Sequence, residues 1–282
     1  MNWKAEAKEK LQRYDAMRLA TINIPEEIER LEIDAKSIRS ARSDATPVSG
    51  GGSKREEAML NNIIHRQELA WTLQQAQHWL KTTDRALMAL GFTEHSFAHV
   101  THVAQTAKYI LETLGYDAHT VELAQIAGYL HDIGNLVNRV EHSQSGAVMA
   151  FQILTSLGFA AEDVATIVTA IGNHDEGTGV PVNAVAAALI LADKADVRRS
   201  RVRNQDTITF DIHDRVNYSV SKSQMTINEA HNAVKLELTV DTNFGSVMDY
   251  FEIFMQRMIF CRKAAEKLGL QFKLVINEQQ LI

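Results

Sequence analysis

The chain has 282 residues with a formal charge of −6, 45% hydrophobic and 23% charged residues, a balance that fits a water-soluble globular protein, long enough for one large domain or a modest domain with an appendage. It offers no basic surplus for bulk attraction to nucleic acid, and its longest small-apolar run, Ala184 to Ala192, is too short to cross a bilayer. A lone cysteine, Cys261, rules out an internal disulfide, and the start MNWKAEAKEK lacks the apolar core of a secretory signal, so a cytoplasmic location is expected.

Taken in chain order, residues 1–85 read as two charge-rich helices. Leu11, Tyr14, Ile28, Leu31 and Ile38 fall in the first, and Ile63, Ile64, Leu69, Leu73 and Leu80 form a narrow stripe in the second. A Gly/Ser-rich loop over 40–56 joins them. The expected element is a helical hairpin or coiled-coil-like appendage, suited to self-association. Residues 86–282 form the main domain. From about 91 to 200, apolar residues recur at helical spacing: Val100, Val103, Ala107 and Ile110; Leu123, Ile126 and Leu130; Val164, Ile167 and Ile171; Val185, Leu189 and Ala192. Gly91, Gly115, Gly158 and the Gly177–Gly179 loop punctuate them. After about 205 the period shortens. Val216, Tyr218 and Val220, then Val234, Leu236, Leu238 and Val240, alternate as strands do, with 228–232 as their connection. A helix over 246–268 and a strand over 272–276 complete a small antiparallel sheet. The fold class is therefore mainly α: a helical bundle, an N-terminal hairpin, and an α+β extension over 205–282.

The chemistry concentrates in the bundle. His131-Asp132 ends an apolar helix. His99 lies on the helix before it, and His142 starts the helix after it. His174 and Asp193 fall on inward faces, three residues after Ile171 and four after Leu189. A second pair, His213-Asp214, lacks such company and reads as a surface pair. Burying unpaired carboxylates is costly, and several inward histidines and aspartates from separate helices ask for a cation. Mixed imidazole and carboxylate ligands suit iron, manganese, nickel or zinc rather than magnesium or calcium. Six ligands exceed one tetrahedral site and suffice for two ions, with Asp132 as the natural bridge. His95, one turn before His99, is either an extra ligand or a hydrogen-bonding neighbour. Lys194, Arg198, Arg199, Arg201 and Arg203 follow Asp193 closely and offer donors to phosphate oxygens, or else merely close a helix end. Lys194 or Arg198 leads among them for phosphate contact, Lys194 also as a catalytic residue, with Arg201 beside them in substrate binding.

These motifs resemble the HD phosphohydrolase superfamily over about Phe92 to Arg203: His99 with Val103, then His131-Asp132, then Asp193 in Leu-Ala-Asp-Lys-Ala-Asp. His142 and His174 are similar to the extra ligands of its two-metal variants, and His142-Ser-Gln-Ser-Gly-Ala resembles the bacterial dinucleoside-tetraphosphate hydrolases of that group. The resemblance implies an HD-type bundle with one or two divalent transition metals. It also implies a catalytic role for His131 and Asp132 and a phosphorylated small-molecule substrate, a nucleotide, attacked by metal-activated water. His102 takes a position where many relatives carry Arg and is a further candidate for substrate contact. Asn135 stands where the cyclic-dinucleotide branch has Lys, and that branch's Gly-Tyr-Pro is missing, which argues against cyclic-dinucleotide cleavage. Residues 205–282 resemble an extension found with some bacterial members. Residues 1–85 loosely resemble helical proteins of phage origin, without a DNA-binding role carried over. Two other functions share these ligands: di-iron oxygen activation, and nucleotide sensing without turnover.

Overall fold

A computed structural model describes residues 78–79, 82, 97–202, 212–244 and 246–282. The hairpin expected over 1–85 with its loop 40–56, and also His95 and Arg203, lie outside the described residues, apart from 78, 79 and 82. The later described residues belong to one compact unit, Trp79–Ile282.

The bundle begins with α1 (Phe97–Thr113), which presents Val100, Val103, Ala104, Ala107, Ile110 and Leu111 as one fully buried stripe. A left-handed Gly115 stops it, and Asp117 caps α2 (Ala118–Leu130) by accepting the Thr120 N–H at 3.0 Å. A short 3-10 turn (Ile133–Leu136) leads to α3 (His142–Ser156) and α4 (Ala161–Gly172), which pack on each other. Next comes α5 (Ala184–Ala195), capped by Asn183. Every residue from Val185 to Ala192 is buried, because α5 is surrounded by α1, α2, α4 and the long helix Val247–Lys267. A run of small apolar residues on all faces suits a central helix, and no helix among the described residues is long and apolar enough to cross a membrane.

The second layer is a four-stranded sheet of order β1-β2-β3-β4, with β1 (Val220–Ile227), β2 (Ala233–Val240), β3 (Gln271–Ile276) and β4 (Gln279–Gln280). The long helix α7 (Val247–Lys267) lies between β2 and β3 in the chain, opened by a reciprocal Ser246/Asp249 capping box. Two expectations change here. The sheet is mixed: β1/β2 and β3/β4 are antiparallel, but β2 and β3 run parallel, from Ala233↔Gln271 to Leu238↔Ile276. The α7 crossover returns the chain to the end of the sheet where β2 began, and a strand entered that way can only run parallel. In addition, Val216 and Tyr218 sit in a helix, α6 (Ile212–Ser219), and the strand begins at Val220. Val216 and Val220 are both fully buried four residues apart, so the short alternation was also one helical turn leading into the strand. The His213-Asp214 pair falls in α6. Arg199 ties this region to the bundle: its guanidinium lies 4.7 Å from the Tyr218 ring centre, and Nε donates to the Tyr218 carbonyl at 2.6 Å.

The approach of α1 to α2 sets the spacing of His99 and His131. It depends on Gly128, where an added Cβ would sit 2.6 Å from the Ala104 Cα. Replacing a helical glycine by alanine ordinarily stabilises by about 1 kcal/mol. Gly128→Ala is expected to do the reverse, destabilising by about 1–3 kcal/mol through overpacking. Urea denaturation checks the sign, and a raised midpoint would show that the two helices are not in close contact.

Candidate metal centre

Five segments deliver the site. His99 comes from the first turn of α1, and His131 caps α2 with Asp132 directly after it. His142 is the first residue of α3, Asp193 lies in the last turn of α5, and His174 follows α4. His174 was expected on a helix face, but it stands just past the helix end, beyond the cap residue Asn173. Gly134 explains the His-Asp-x-Gly order. A Cβ there would land on the His142 carbonyl oxygen and the Gly146 nitrogen, so the turn carrying Asp132 lies flat against the start of α3.

Each histidine is oriented through Nδ1. His99 Nδ1 donates to Asp196 Oδ2 at 2.7 Å and His131 Nδ1 to the Gly128 carbonyl at 2.7 Å. His142 Nδ1 donates to the Arg139 carbonyl at 3.1 Å and His174 Nδ1 to the Ile171 carbonyl at 2.6 Å. With the proton fixed on Nδ1, each neutral ring turns its Nε2 lone pair inward. Those lone pairs face each other: the Nε2 atoms of His99 and His131 are 3.3 Å apart, and those of His142 and His174 are 3.1 Å apart. Two lone pairs cannot hydrogen-bond, so a cation or an added proton must stand between them.

Carboxylates close the arrangement. Asp132 Oδ2 is 3.4 Å from both His99 and His131 Nε2, and Asp193 Oδ1 is 3.4 and 3.6 Å from the same two atoms. Ligand atoms 3.3–3.6 Å apart at tetrahedral corners stand about 2.0–2.2 Å from the centre, the bond length of nitrogen and oxygen ligands to an ion such as zinc. The other oxygen of Asp132, Oδ1, is 3.5 Å from His142 Nε2. Three overlapping groups therefore converge: His99/His131/Asp132, His131/His174/Asp193 and Asp132/His142/His174. The donor set fits divalent metal, and Asp132 offers one oxygen to each pair of imidazoles.

Without metal, a proton can take its place between His99 and His131. Burial lowers the affinity of His131 for a proton, but Asp132 and Asp193 outweigh it and raise the pKa to about 10. His174 moves the other way, to about 3, because burial is reinforced by the charges of His131 and Lys194. Asp193 stays far below the usual carboxylate range: burial would raise it, and Lys194 and the two imidazoles more than reverse this.

Around these groups lies a second set of ionic contacts that the sequence reading did not assign. Asp196 is buried, and besides His99 it accepts from Arg198 Nε at 2.7 Å. Its position three residues after Asp193 at the α5 end was the available signal. Glu176, in the loop after His174, is 2.6 Å from Lys194 Nζ and 2.8 Å from Arg257 Nε, while Lys194 Nζ is also 2.7 Å from Asp193 Oδ2. Of the cations expected to meet substrate, Lys194 and Arg201 are buried, Arg201 donating to the Asp196 carbonyl at 2.7 Å. Arg198 and His102 keep 28% and 47% of their side-chain surface, both on the Asp196 side.

Residues 96–208 match the HD domain family, whose members are mostly metal-dependent phosphohydrolases. The match spans less than half of the chain and includes all six converging histidines and aspartates, whereas Arg257 lies beyond it. No curated protein matches the chain.

Two outcomes are expected. Asp196→Asn keeps the shape but removes the charge that holds His99, and it should weaken divalent metal binding about 10–100-fold, read by titration of the metal-free protein. The folded pKa of His131, about 10, lies above its ordinary 6.5, so its proton stabilises the fold fully below 6.5 and that stabilisation is lost as pH rises through 10. The melting temperature of chelator-treated protein should therefore fall between neutral pH and pH 10, and saturating divalent metal should suppress the fall. Parallel metal-free and metal-loaded profiles would refute this.

Proposed function

We propose that the chain is a metal-dependent phosphohydrolase acting on a phosphate ester or phosphoanhydride of a nucleotide. The observation that carries the reading is the position of Asp132, one carboxylate between two pairs of inward imidazole lone pairs. His99, His131 and Asp193 with Asp132 Oδ2 would hold one divalent ion, and His142 and His174 with Asp132 Oδ1 a second. Iron, manganese, nickel or zinc suit such ligands. A divalent ion held there supplies a Lewis acid to phosphoryl oxygens and lowers the pKa of a water to about 7.

The chain's own residues set the rest. Asp132 and Asp193 bring negative charge that offsets the ions, and the Nδ1 partners hold the four rings in the ligating tautomer. Lys194 keeps its ammonium on Asp193 and Glu176, where its charge balances buried carboxylates. His102, part-exposed beside the centre, offers an N–H donor to phosphoryl oxygens, whereas Arg198 is held by Asp196 and Ser200. No thiol nucleophile competes, since Cys261 is buried and burial pushes its thiol up to about 12. The nucleotide assignment rests on the likeness of the run starting at His142 to dinucleoside-tetraphosphate hydrolases.

The test is elemental analysis of protein purified without chelator, beside Asp132→Ala, with both assayed on nucleotides and generic phosphate esters. The expected result is one to two transition metals per chain with phosphate release in the wild type, and loss of both in the variant. Metal without phosphate release, accompanied by oxygen uptake, would replace hydrolysis by oxygen activation. A wild type that takes up no metal after reconstitution would remove the reading altogether.

A further inference from the structure

We propose that Arg139, in the segment between Asp132 and His142, is a phosphoryl-binding residue of this centre. The inference rests on the phosphohydrolase reading and adds to it a contact that the sequence did not single out. The Arg139 carbonyl accepts from His142 Nδ1 at 3.1 Å, so its backbone is fixed to a residue of the site. Its guanidinium reaches back over the same half of the centre. Nη1 donates to Asn135 Oδ1 at 3.2 Å and lies 3.9 Å from Asp132 Oδ1. Asn135 Nδ2 donates to the same Asp132 oxygen at 2.8 Å and to the Asp132 carbonyl at 3.0 Å. The amide is thereby oriented, and its oxygen is what Arg139 meets.

What separates Arg139 from the other cations near the centre is how their charges are engaged. Lys194 has two carboxylates, at 2.6 and 2.7 Å, and Arg257 has Glu176 at 2.8 Å. Arg198 has Asp196 at 2.7 Å, and Arg201 is buried on the Asp196 carbonyl. Arg139 keeps 31% of its side-chain surface, and its closest carboxylate among the described residues is at 3.9 Å. Its one side-chain hydrogen bond there is to a neutral amide. A guanidinium has five N–H donors in a fixed fork that matches two phosphoryl oxygens. Arg139 thus holds its charge beside the Asp132/His142/His174 group while most of its donors remain available to an anion entering from solvent.

The alternative is that Arg139 only balances the charge of Asp132, and metal content separates the two. Full-length metal-loaded protein is compared with Arg139→Ala and Arg139→Lys for metal stoichiometry, for calorimetric binding of inorganic phosphate, and for KM on whichever ester the wild type cleaves. The expected result is phosphate affinity lower by about 10–100-fold in Arg139→Ala, the size of a lost charge-assisted hydrogen bond. Metal content should be unchanged and Arg139→Lys should recover part of the loss. Equal phosphate affinity in all three proteins overturns the proposal, as does loss of metal in both variants, which would make Arg139 a support for Asp132. If the wild type binds phosphate through Arg139 yet cleaves nothing, the anion site stands and the hydrolase reading falls. If it cleaves esters with the same KM in every variant, the hydrolase reading stands and the anion site falls.

Discussion

Four imidazole rings are buried together with their Nδ1 protons committed to oxygen acceptors, which leaves Nε2 lone pairs opposed at 3.3 and 3.1 Å. This arrangement is unfavourable in a protein interior unless positive charge occupies the space between them, since an unsatisfied buried polar group costs about 1–3 kcal/mol. The local features that bring the rings together serve that one constraint. Gly128 lets α1 and α2 close until His99 and His131 meet, and Gly134 lets the Asp132 turn lie against α3. The 3-10 turn places Asp132 so that its two oxygens point to different imidazole pairs. Folding is linked to what fills that space: between His99 and His131 a proton can stand in for a cation, and the rise of His131 to about 10 is the sign of it.

The C-terminal layer is part of the same electrostatic system. Asp193 leans on Lys194, Lys194 on Glu176, and Glu176 on Arg257 of α7, through contacts of 2.7, 2.6 and 2.8 Å. Arg257 is further held with its guanidinium 4.6 Å from the Phe254 ring centre. A bundle ending at residue 208 would leave Glu176 with one cation fewer, in a place where burial pushes a carboxylate toward neutrality. The sheet packs behind α7, and Ser223 Oγ donates to the Ala195 carbonyl at the end of α5. The extension thus fixes the end of α5 that carries Asp193, Lys194 and Asp196.

The residues legible from sequence were those whose type and spacing carry information without tertiary structure. An imidazole or carboxylate at an apolar helical position stands out, and that signal located His99, His131, Asp132 and Asp193, which the fold brings together. His174 was found by the same periodicity although its helix stops before it, because the inward direction persists past the cap residue Asn173. Asp196 was hidden by its neighbours: among Lys194, Arg198 and Arg201 it reads as one charge of a polar helix end. Glu176 and Arg257 are 81 positions apart and meet only because α7 crosses over the sheet. The parallel pairing of β2 and β3 was not legible for the same reason. Alternation reports which residues face inward, but strand direction is decided by the path of the intervening helix.

Among the cations near the centre, closeness in sequence to Asp193 and availability to an anion are separate properties. Lys194 adjoins a metal-ligand candidate, yet an ammonium between two carboxylates gives up both pairs if it turns toward a phosphate, and it leaves two buried anions behind. Arg201 is constrained likewise by its burial beside Asp196. A cation is free to bind a substrate only when its resting partners are neutral or absent and solvent reaches it. That combination is set by the three-dimensional arrangement of carboxylates rather than by the positive residue itself. In this centre the carboxylates of α5 and of the loop after His174 engage the cations of the Asp193 side. The segment from Asn135 to His142 carries its charge opposite an amide, which leaves the Asp132/His142/His174 half of the site as the one where an incoming anion meets a positive group with donors to spare.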